Sequence, residues 1–429
     1  MHLVDRIHVE GFWDSYDFEL KINPDVTFLI GANGTGKTTL VNLIAAALYV
    51  DIPTLNRLPF RAIEIVLQPL AGTKKPSIRV SKDADFEGPL GGVKYEIRHS
   101  RSGDRYLFDL DEVMERTLLV RRDTPSRVMR DRLRRSMPQL YELVRELISV
   151  SWLSIHRTET PRRASEDRSF ESTVDRKIDD LSNELVRYFS TLSRQKDEEM
   201  QRFQEFVFLS LLDERSEEEL FDPRRKRKLK EQQDTLAEVF EELNIKNQGL
   251  NNKIRRYFSK ADQTFNRIES EKATEVTTDE FVNLLGVWRI ESIVDRWNEL
   301  QDRLSEIFER RDRFAKEIDE LFLRKNMHID ERNEIFFLSR TNKTLKPTML
   351  SSGEKQLLIL LGELLLQRNR PYIFIADEPE LSLHVTWQER LITSLVNLNE
   401  NAQIIVATHS PDIIGHRSDN AVKMENLIP

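Results

Sequence analysis

One stretch near the amino terminus constrains the fold of this chain more than any other: Gly31 to Thr39, which reads GANGTGKTT. It follows the apolar run Val26 to Ile30 and precedes the helix-like run Leu40 to Leu48. The stretch therefore joins a predicted strand to a predicted helix, and its spacing fits G-x-x-x-x-G-K-[ST] in the setting that this pattern requires. The sequence predicts an α/β fold organised around a phosphate-binding loop.

The residue types of this loop suit a polyphosphate. Glycines let backbone N–H groups surround the anion without steric clash, and the start of the helix adds a favourable dipole. Lys37 is expected to reach the β- and γ-phosphates, and the Thr38 hydroxyl to bind Mg²⁺. A glycine-rich turn that binds nothing is the alternative. We predict that the nucleotide-binding residues of the loop are Asn33, Gly34, Thr35, Gly36, Lys37, Thr38 and Thr39.

The composition of the chain excludes several classes of protein. The 429 residues include 73 acidic and 65 basic side chains, and the net charge of −8 argues against a uniformly basic nucleic-acid-binding protein. Cysteine is absent, which excludes disulfides, cysteine-ligated metal clusters and a thiol nucleophile. The amino terminus has no signal-peptide pattern, and no stretch approaches ~18 consecutive apolar residues. We expect a soluble cytoplasmic protein with no membrane partner.

The pattern of apolar residues divides the chain into three segments. Residues 1–161 carry strand and helix signals around the loop, and those between 62 and 110 predict a small antiparallel sheet layered on the core. In residues 162–330 charged side chains dominate and apolar residues recur at helical spacing, which predicts a helical insertion. Residues 331–429 return to alternating strands and helices.

The insertion contains three residues that typically interrupt helices: Pro223, Gly249 and Gly286. We expect them to divide the insertion into several helices. Because no long heptad register is present, the sequence favours a short antiparallel arm or bundle, with a short coiled coil, over a long rod.

Two acidic residues end a second apolar strand, in the sequence YIFIADEP at 372–379. In a protein with a phosphate-binding loop, Asp377 is expected to support Mg²⁺, and Glu378 to polarise the attacking water. An ordinary strand that enters a solvated turn is the alternative.

Two further patterns have both a functional and a structural interpretation. The sequence LSSGEKQ at 350–356 opens an apolar helix, and its small residues suit either a phosphate or an ordinary helix cap. The sequence IIVATHSP at 404–411 places His409 at the end of a strand, where the ligand crevice of a parallel α/β sheet lies. A purely structural histidine is the alternative.

In this order, GANGTGKTT, LSSGE, IADEPE and ATHSP resemble the Walker A, signature, Walker B and H-loop motifs of ABC-type ATPases. Some 340 residues separate Lys37 from Asp377, and this layout resembles the RecF, Rad50 and SMC branch of the family. The forms DEPELSLH and THSP are similar to the OLD-like ATPases of bacterial phage defence. The resemblance implies an ABC-type ATPase head, with a mixed sheet, helices and an antiparallel β layer, interrupted by the helical insertion.

The resemblance also implies a mechanism. It predicts ATP and Mg²⁺ as cofactors, a slow ATPase, and a homodimer or higher homo-oligomer with composite sites. In each site Ser351 and Gly353 of one copy would cap the γ-phosphate held by the other copy. Glu378 would be the water-activating base and His409 the sensor of the γ-phosphate.

Two positions depart from the ABC pattern. The Q-loop glutamine, expected after the strand that precedes the insertion, is replaced by SIHRTE, with His156 and Arg157. The D-loop region reads ELSLH, with His384 in place of a carboxylate, as is common in the OLD-like group.

OLD nucleases carry a TOPRIM domain after the ATPase, whereas about 20 residues follow His409 in this sequence. We therefore expect a separately encoded nuclease effector of the TOPRIM or HNH type. The chain resembles stand-alone defence ATPases such as the AriA subunit of PARIS or the PtuA subunit of Septu, and the compact insertion favours the first. The implied function is an anti-phage sensor and scaffold that responds to a phage trigger protein or to nucleic acid.

Other functions stay open. The main alternative is a RecF- or Rad50-like repair ATPase with ATP-gated DNA binding, while the long insertion disfavours a transporter ATPase. The basic run RRKRKLK at 224–230 suits nucleic acid, an acidic partner or a solvated helix junction. Trp13, which precedes the loop strand, is a candidate to stack on adenine.

Overall fold

The computed structural model describes residues 2–70, 72–83, 92–99, 103–110, 134–154, 173–210, 212, 228–242, 249–269, 277–368 and 370–428. The chain forms two compact units. The head unit comprises Met1–Val186 and Arg313–Pro429, and the arm unit comprises Arg187–Asp312. The boundaries that the sequence places at 162 and 330 stay a prediction.

The described elements are numbered in chain order. The strands are β1 (His2–Phe12), β2 (Tyr16–Lys21), β3 (Val26–Ile30), β4 (Ala62–Pro69), β5 (Ser77–Ser81), β6 (Lys94–Arg98), β7 (Arg105–Asp109), β8 (Val150–Ser154), β9 (Lys325–Ile329), β10 (Ile335–Ser339), β11 (Thr344–Leu345), β12 (Tyr372–Asp377), β13 (Ala402–Ala407) and β14 (Ala421–Lys423). The helices are α1 (Lys37–Tyr49), α2 (Ile52–Arg57), α3 (Pro138–Leu147), α4 (Thr173–Ser210), α5 (Leu229–Glu242), α6 (Leu250–Glu269), α7 (Thr278–Leu321), α8 (Ser352–Leu366), α9 (Val385–Leu398) and α10 (Pro411–Ile414).

A five-stranded parallel sheet forms the centre of the head unit, in the order β14-β3-β13-β12-β8. All residues of β12 and β13 are buried. Strands covered on both faces read as continuous apolar runs, which is why the sequence identifies them. The motif-bearing turns follow β3, β12 and β13, so the fold brings these turns together at the carboxyl edge of three adjacent strands.

An antiparallel sheet of six strands, in the order β2-β1-β4-β5-β6-β7, forms a second layer. The predicted antiparallel layer is confirmed, and it also includes the two strands that precede the loop strand. The side-chain amide of buried Gln403 in β13 connects the two sheets, because it bonds both backbone groups of Val4 in β1 at 2.8 Å. A separate three-stranded sheet has the order β11-β10-β9.

The helical insertion is confirmed, and its two longest helices are α4 with 38 residues and α7 with 44. Within the arm unit these helices are antiparallel. Arg303 bonds Glu199, and Trp297 packs on Phe203 with ring centroids 5.3 Å apart. Residue numbers therefore rise along one helix in the direction in which they fall along the other. Each helix is therefore held by an apolar seam with an ion pair at its edge.

The prediction that Gly286 interrupts a helix is wrong, because α7 continues through it. An interior glycine costs only about 1 kcal/mol, which packing readily offsets. Here a Cβ at Gly286 would overlap the hydroxyl of Tyr257, which donates to the carbonyl of Asn283 at 3.0 Å. Gly249 precedes α6 with a φ of 83°, as expected of a residue outside a helix end, and Pro223 lies outside the described residues.

Among the residues that the structure describes, none of the helices combines the length and the apolar character needed to cross a bilayer.

Candidate nucleotide-binding site

The Walker A loop joins β3 to α1 through glycines in left-handed conformations. Gly34 has a φ of 84°, and Gly36, the residue before α1, has a φ of 89°. A Cβ at Gly36 would lie 3.0 Å from the indole of Trp13, so both the backbone conformation and the space require glycine there. Asn33 and Gly34 are exposed at the tip of the loop, and no atom lies within 4 Å of a Cβ built on Gly34. The loop therefore presents open backbone to a ligand.

Lys37 is buried at the first position of α1, and its ammonium points back into the loop. Nζ donates to the carbonyls of Gly31 and Ala32, both at 2.9 Å. Burial lowers the pKa of Lys37, and attraction by nearby carboxylates, with Glu378 the strongest, partly restores it. Thr35 also bonds the Ala32 carbonyl at 2.9 Å, while the partly buried Thr39 continues the helix.

The two residues predicted to bind metal lie together. The exposed hydroxyl of Thr38 donates to Oδ1 of Asp377 at 3.2 Å, although 339 positions separate them. Asp377 is only 1% exposed, because it ends the fully buried strand β12. One hydroxyl and one carboxylate suit Mg²⁺, which keeps several waters and binds phosphate oxygens. Among the described residues, no group of three or more His, Asp and Glu side chains offers a metal cage of protein ligands alone.

Glu378 and His409, the predicted base and γ-phosphate sensor, are also brought together. Nε2 of His409 lies 3.9 Å from Oε1 of Glu378. The turn after β12 places the carboxylate, since Glu378 has a φ of 47° and its N–H donates to the carbonyl of Ala407 at 2.8 Å. Both side chains are partly exposed, so water can reach the space between them.

Sequence reasoning missed Glu380, which lies in the turn after β12 and bonds the turn that carries His409. Its Oε1 accepts from the hydroxyl of Thr408 at 2.6 Å and from the N–H groups of His409 at 2.9 Å and Ser410 at 3.3 Å. The available signal was the third acid in DEPE, two residues after Glu378.

Sequence reasoning also missed Glu425, near the carboxyl terminus. Its Oε1 accepts the N–H of Ala32 in the Walker A loop at 2.7 Å, across 393 positions. This hydrogen bond is the main cause that holds the pKa of Glu425 below its ordinary value, and the charge of Lys37 adds to it. No local pattern marks this residue, because the contact depends on the position of β14 beside β3.

The signature motif forms a helix cap in its own chain. Ser351 is the N-cap of α8, and its N–H and hydroxyl both donate to Oε2 of Glu354 at 2.8 Å in a capping box. Burial would raise the pKa of Glu354, but the ammonium of Lys325, bonded at 2.6 and 2.7 Å, and the Ser351 donors outweigh it and hold the pKa below 4.5. The role of Ser351 toward a nucleotide in another copy stays a prediction.

Gly353 is buried inside the same cap. A Cβ on Gly353 would lie 2.6 Å from the carbonyl oxygen of Ser382, in the turn that follows the Walker B strand. The glycine therefore allows the signature helix to approach this turn closely within one chain. Gln356 of α8 adds a hydrogen bond to the carbonyl of Pro379 at 2.7 Å, so two residues of the helix contact the turn.

The remaining sequence-based residues have mixed outcomes. His156, Arg157 and most of the basic run at 224–230 lie outside the described residues. His384 is the N-cap of α9, with Nδ1 accepting the N–H of Thr386 at 3.4 Å. Trp13 stacks on Phe12 at 5.1 Å beside the Walker A loop.

In a comparison with known protein families, the family model described as AAA ATPase domain (AAA_15) matches residues 3–414 of this chain. The Retron Vc95 probable ATPase of Vibrio cholerae serotype O1 biovar El Tor is 35% identical over 92 residues, which are 21% of this chain and 18% of that protein. The Retron Ec83 probable ATPase of Escherichia coli is 36% identical over 87 residues, 18% of this chain and 16% of that protein. The chain thus spans less than a fifth of the length of these curated relatives.

Solved structures of Smc head domains also match the chain. The head domain with an extended coiled coil bound to the C-terminal domain of ScpA, from Pyrococcus furiosus, is 15% identical with a TM-score of 0.41, over 99% of this chain and 93% of that one. The head domain with a coiled coil and joint from Pyrococcus yayanosii is 15% identical with a TM-score of 0.39, over 99% and 95%. Because the family model matches residues 3–414 of the 429 in this chain, the chain belongs to the AAA_15 family of AAA ATPase domains.

Proposed function

We propose that this protein binds ATP with Mg²⁺ and hydrolyses ATP slowly. One observation carries the proposal: the Walker A loop, the pair Thr38 and Asp377, and the pair Glu378 and His409 lie together at the carboxyl edge of the parallel sheet. Bound Mg²⁺ would neutralise charge on the phosphates, and Thr38 and Asp377 would hold it. Exposed loop N–H groups and Lys37 would bind the β- and γ-phosphates.

The pair Glu378 and His409 is suited to the chemical step. A carboxylate at this position can accept a proton from a water molecule that attacks the γ-phosphate. The ring of His409 lies 3.9 Å from the carboxylate of Glu378. It can donate a hydrogen bond to the γ-phosphate and keep the attacking water between the carboxylate and the phosphate. Glu378 and Asp377 are adjacent in the chain, but Asp377 is buried toward Thr38 while Glu378 is partly exposed, so their roles are separated by position.

The second part of the proposal is a homodimer or larger homo-oligomer with composite ATP sites. Ser351 and Ser352 are exposed at the start of α8, and Asn33 and Gly34 are exposed at the tip of the Walker A loop. Met349, just before the signature, is 60% exposed and would contribute apolar area to such an interface. In this arrangement Ser351 and Gly353 of one copy cap the γ-phosphate bound to another copy.

The third part concerns biological role. The curated relatives are named as probable ATPases of retrons, and the sequence resembles phage-defence ATPases, including those of the AriA and PtuA kind. We infer that this chain is the ATP-dependent sensor and scaffold of an anti-phage system and that it controls a separately encoded nuclease.

Three variants test the ATPase. Lys37→Ala is expected to lose ATP binding, measured with a fluorescent ATP analogue. The variant lacks the buried ammonium that would bind the β- and γ-phosphates, and solvent cannot take its place. Glu378→Gln is expected to keep ATP binding, lose turnover and accumulate the ATP-bound oligomer, measured by light scattering after size exclusion. Exposed Glu389 provides the matched control Glu389→Gln, which is expected to behave as the wild type. Turnover of Glu378→Gln equal to that of the wild type contradicts the assignment of the base.

The biological role requires a separate test. The protein is purified together with the product of its neighbouring gene, and the complex is sized with and without ATP. Release or retention of a nuclease that depends on ATP supports the defence role. ATP-gated, salt-dependent binding of duplex DNA by the chain alone supports the repair-clamp alternative instead.

A further inference from the structure

The proposed ATPase mechanism gives no role to the side chain of Glu380, yet this residue lies in the turn of Glu378 and bonds the turn of His409. Its Oε1 accepts three hydrogen bonds from three consecutive residues of the second turn: Thr408, His409 and Ser410. One of them is the backbone N–H of His409 itself, at 2.9 Å. A carboxylate that accepts three donors from one turn holds the backbone of that turn in place.

The second oxygen of this carboxylate is buried. Oε2 of Glu380 has no hydrogen-bond partner among the described residues. A buried oxygen without a partner is costly, and such exceptions concentrate at functional sites. The second carboxyl oxygen of Glu380 is therefore buried at a cost that an acceptor with a single oxygen, such as a hydroxyl, would avoid.

The surrounding contacts show which part of the turn depends on Glu380. The hydroxyl of Ser410 donates to Gln388 of α9 at 2.6 Å, and the N–H of Thr408 donates to the carbonyl of Leu29 in β3 at 3.1 Å. These contacts fix the two ends of the turn. The backbone N–H of His409, between them, is held by Glu380.

We propose that Glu380 is a positioning residue of the ATPase site, which holds the backbone of His409 so that the imidazole stays within reach of Glu378. This inference rests on the proposed roles of Glu378 and His409 in ATP hydrolysis. Because Glu380 is two residues after Glu378 in the same turn, any shift of that turn moves the base and the histidine together. Glu380 thereby couples the Walker B turn to the H-loop through its hydrogen bonds to Thr408, His409 and Ser410.

The test compares Glu380→Gln with the full-length wild type in the presence of ATP and Mg²⁺. The glutamine is nearly isosteric, but its uncharged oxygen holds the three donors less strongly and its NH2 group occupies the buried position without an acceptor. We expect kcat to fall about 10-fold and the Kd for ATP to stay within about threefold, because displacement of a catalytic group by a fraction of an ångström has effects of this size. Glu380→Ala is expected to lower kcat further, by about 100-fold. The control Glu389→Gln is expected to leave both values unchanged.

A double-mutant cycle separates positioning from general structural damage. If Glu380 acts through His409, then Glu380→Gln added to His409→Ala lowers kcat by less than about twofold. A 10-fold loss in both backgrounds, or a loss of ATP affinity that matches the loss of kcat, overturns the proposal. If Glu380→Ala does not fold, as judged by its melting temperature, the cycle with Glu380→Gln decides alone. Unchanged turnover in His409→Ala also overturns the proposal. In that case Lys37→Ala still loses ATP binding, so the failed role of the histidine can be distinguished from failure of the proposed ATPase function.

Discussion

Replacement of Gln403 by leucine tests how the two sheets of the head unit are held together. Gln403 is fully buried in β13, and its side-chain amide makes three hydrogen bonds of 2.8 Å: from the N–H of Val4, to the carbonyl of Val4 and to the carbonyl of Asn23. The pairing of β1 with β4 shifts register between Val4 and Arg6, next to this contact.

The expected loss follows from these contacts. Each net hydrogen bond contributes about 1 kcal/mol, and a buried N–H left without a partner costs about 1 to 3 kcal/mol. Leucine has a similar volume and gains some apolar burial, which offsets part of the loss. We expect the free energy of opening of β1 and β13 to fall by about 2 to 4 kcal/mol, which corresponds to amide exchange faster by about 30- to 1,000-fold.

Hydrogen–deuterium exchange read by mass spectrometry measures this locally, which matters because a chain with two compact units has no single free energy of unfolding. The control is Gln68→Leu at an exposed position of β4, which is expected to change the opening free energy by less than about 0.5 kcal/mol. Exchange of the β1 peptides of Gln403→Leu within threefold of the wild type would refute the reasoning.

Three further predictions concern the site. Gly353→Ala is expected to lower the melting temperature even without ATP, because its Cβ would lie 2.6 Å from the carbonyl of Ser382. Glu425→Ala is expected to weaken ATP binding, measured by titration, because the hydrogen bond to the N–H of Ala32 is lost. Glu425→Gln keeps an acceptor and removes a negative charge near the phosphates, so it is expected to bind ATP at least as tightly as the wild type. The carboxylate of Glu354, with its pKa below 4.5 in the folded state, stabilises the fold above pH 4.5, and this contribution is lost as pH falls through the lower folded value, measured by melting against pH.

Controls make these predictions specific. Gly362→Ala introduces a Cβ that meets only the flexible end of Leu181, so its melting temperature is expected to fall less than that of Gly353→Ala. Equal ATP affinity of the two Glu425 variants contradicts a role for the hydrogen bond to the loop. In Glu354→Gln the melting temperature is expected to fall less steeply as the pH is lowered below 4.5. A pH dependence equal to that of the wild type contradicts the stabilising role of the Glu354 carboxylate.

Local motifs were predictable from sequence because each needs only its own neighbours in the chain. The Walker A loop is recognisable from glycines between an apolar strand and a helix, and the buried strands β12 and β13 from runs of apolar residues. The signature stretch stayed ambiguous between a phosphate cap and a helix cap, since the two interpretations require the same residues. In this chain Ser351 is a helix N-cap, and its surface exposure leaves the first role available.

The errors and omissions have physical causes. Gly286 is inside α7 because packing against Tyr257 outweighs the low helix propensity of glycine. Glu380 and Glu425 were missed because their partners lie 28 or more and 393 positions away, and no periodicity encodes such a distance.

The sequence by itself determined the α/β class, the helical insertion and the place of the glycine-rich loop between a strand and a helix, because these depend on local propensity and on apolar period. The tertiary structure alone decided which of the polar side chains meet: Thr38 with Asp377, and Glu378 with His409. The order of parallel strands causes these meetings, since adjacent strands bring the turns at their carboxyl ends to one edge regardless of the length of chain between them.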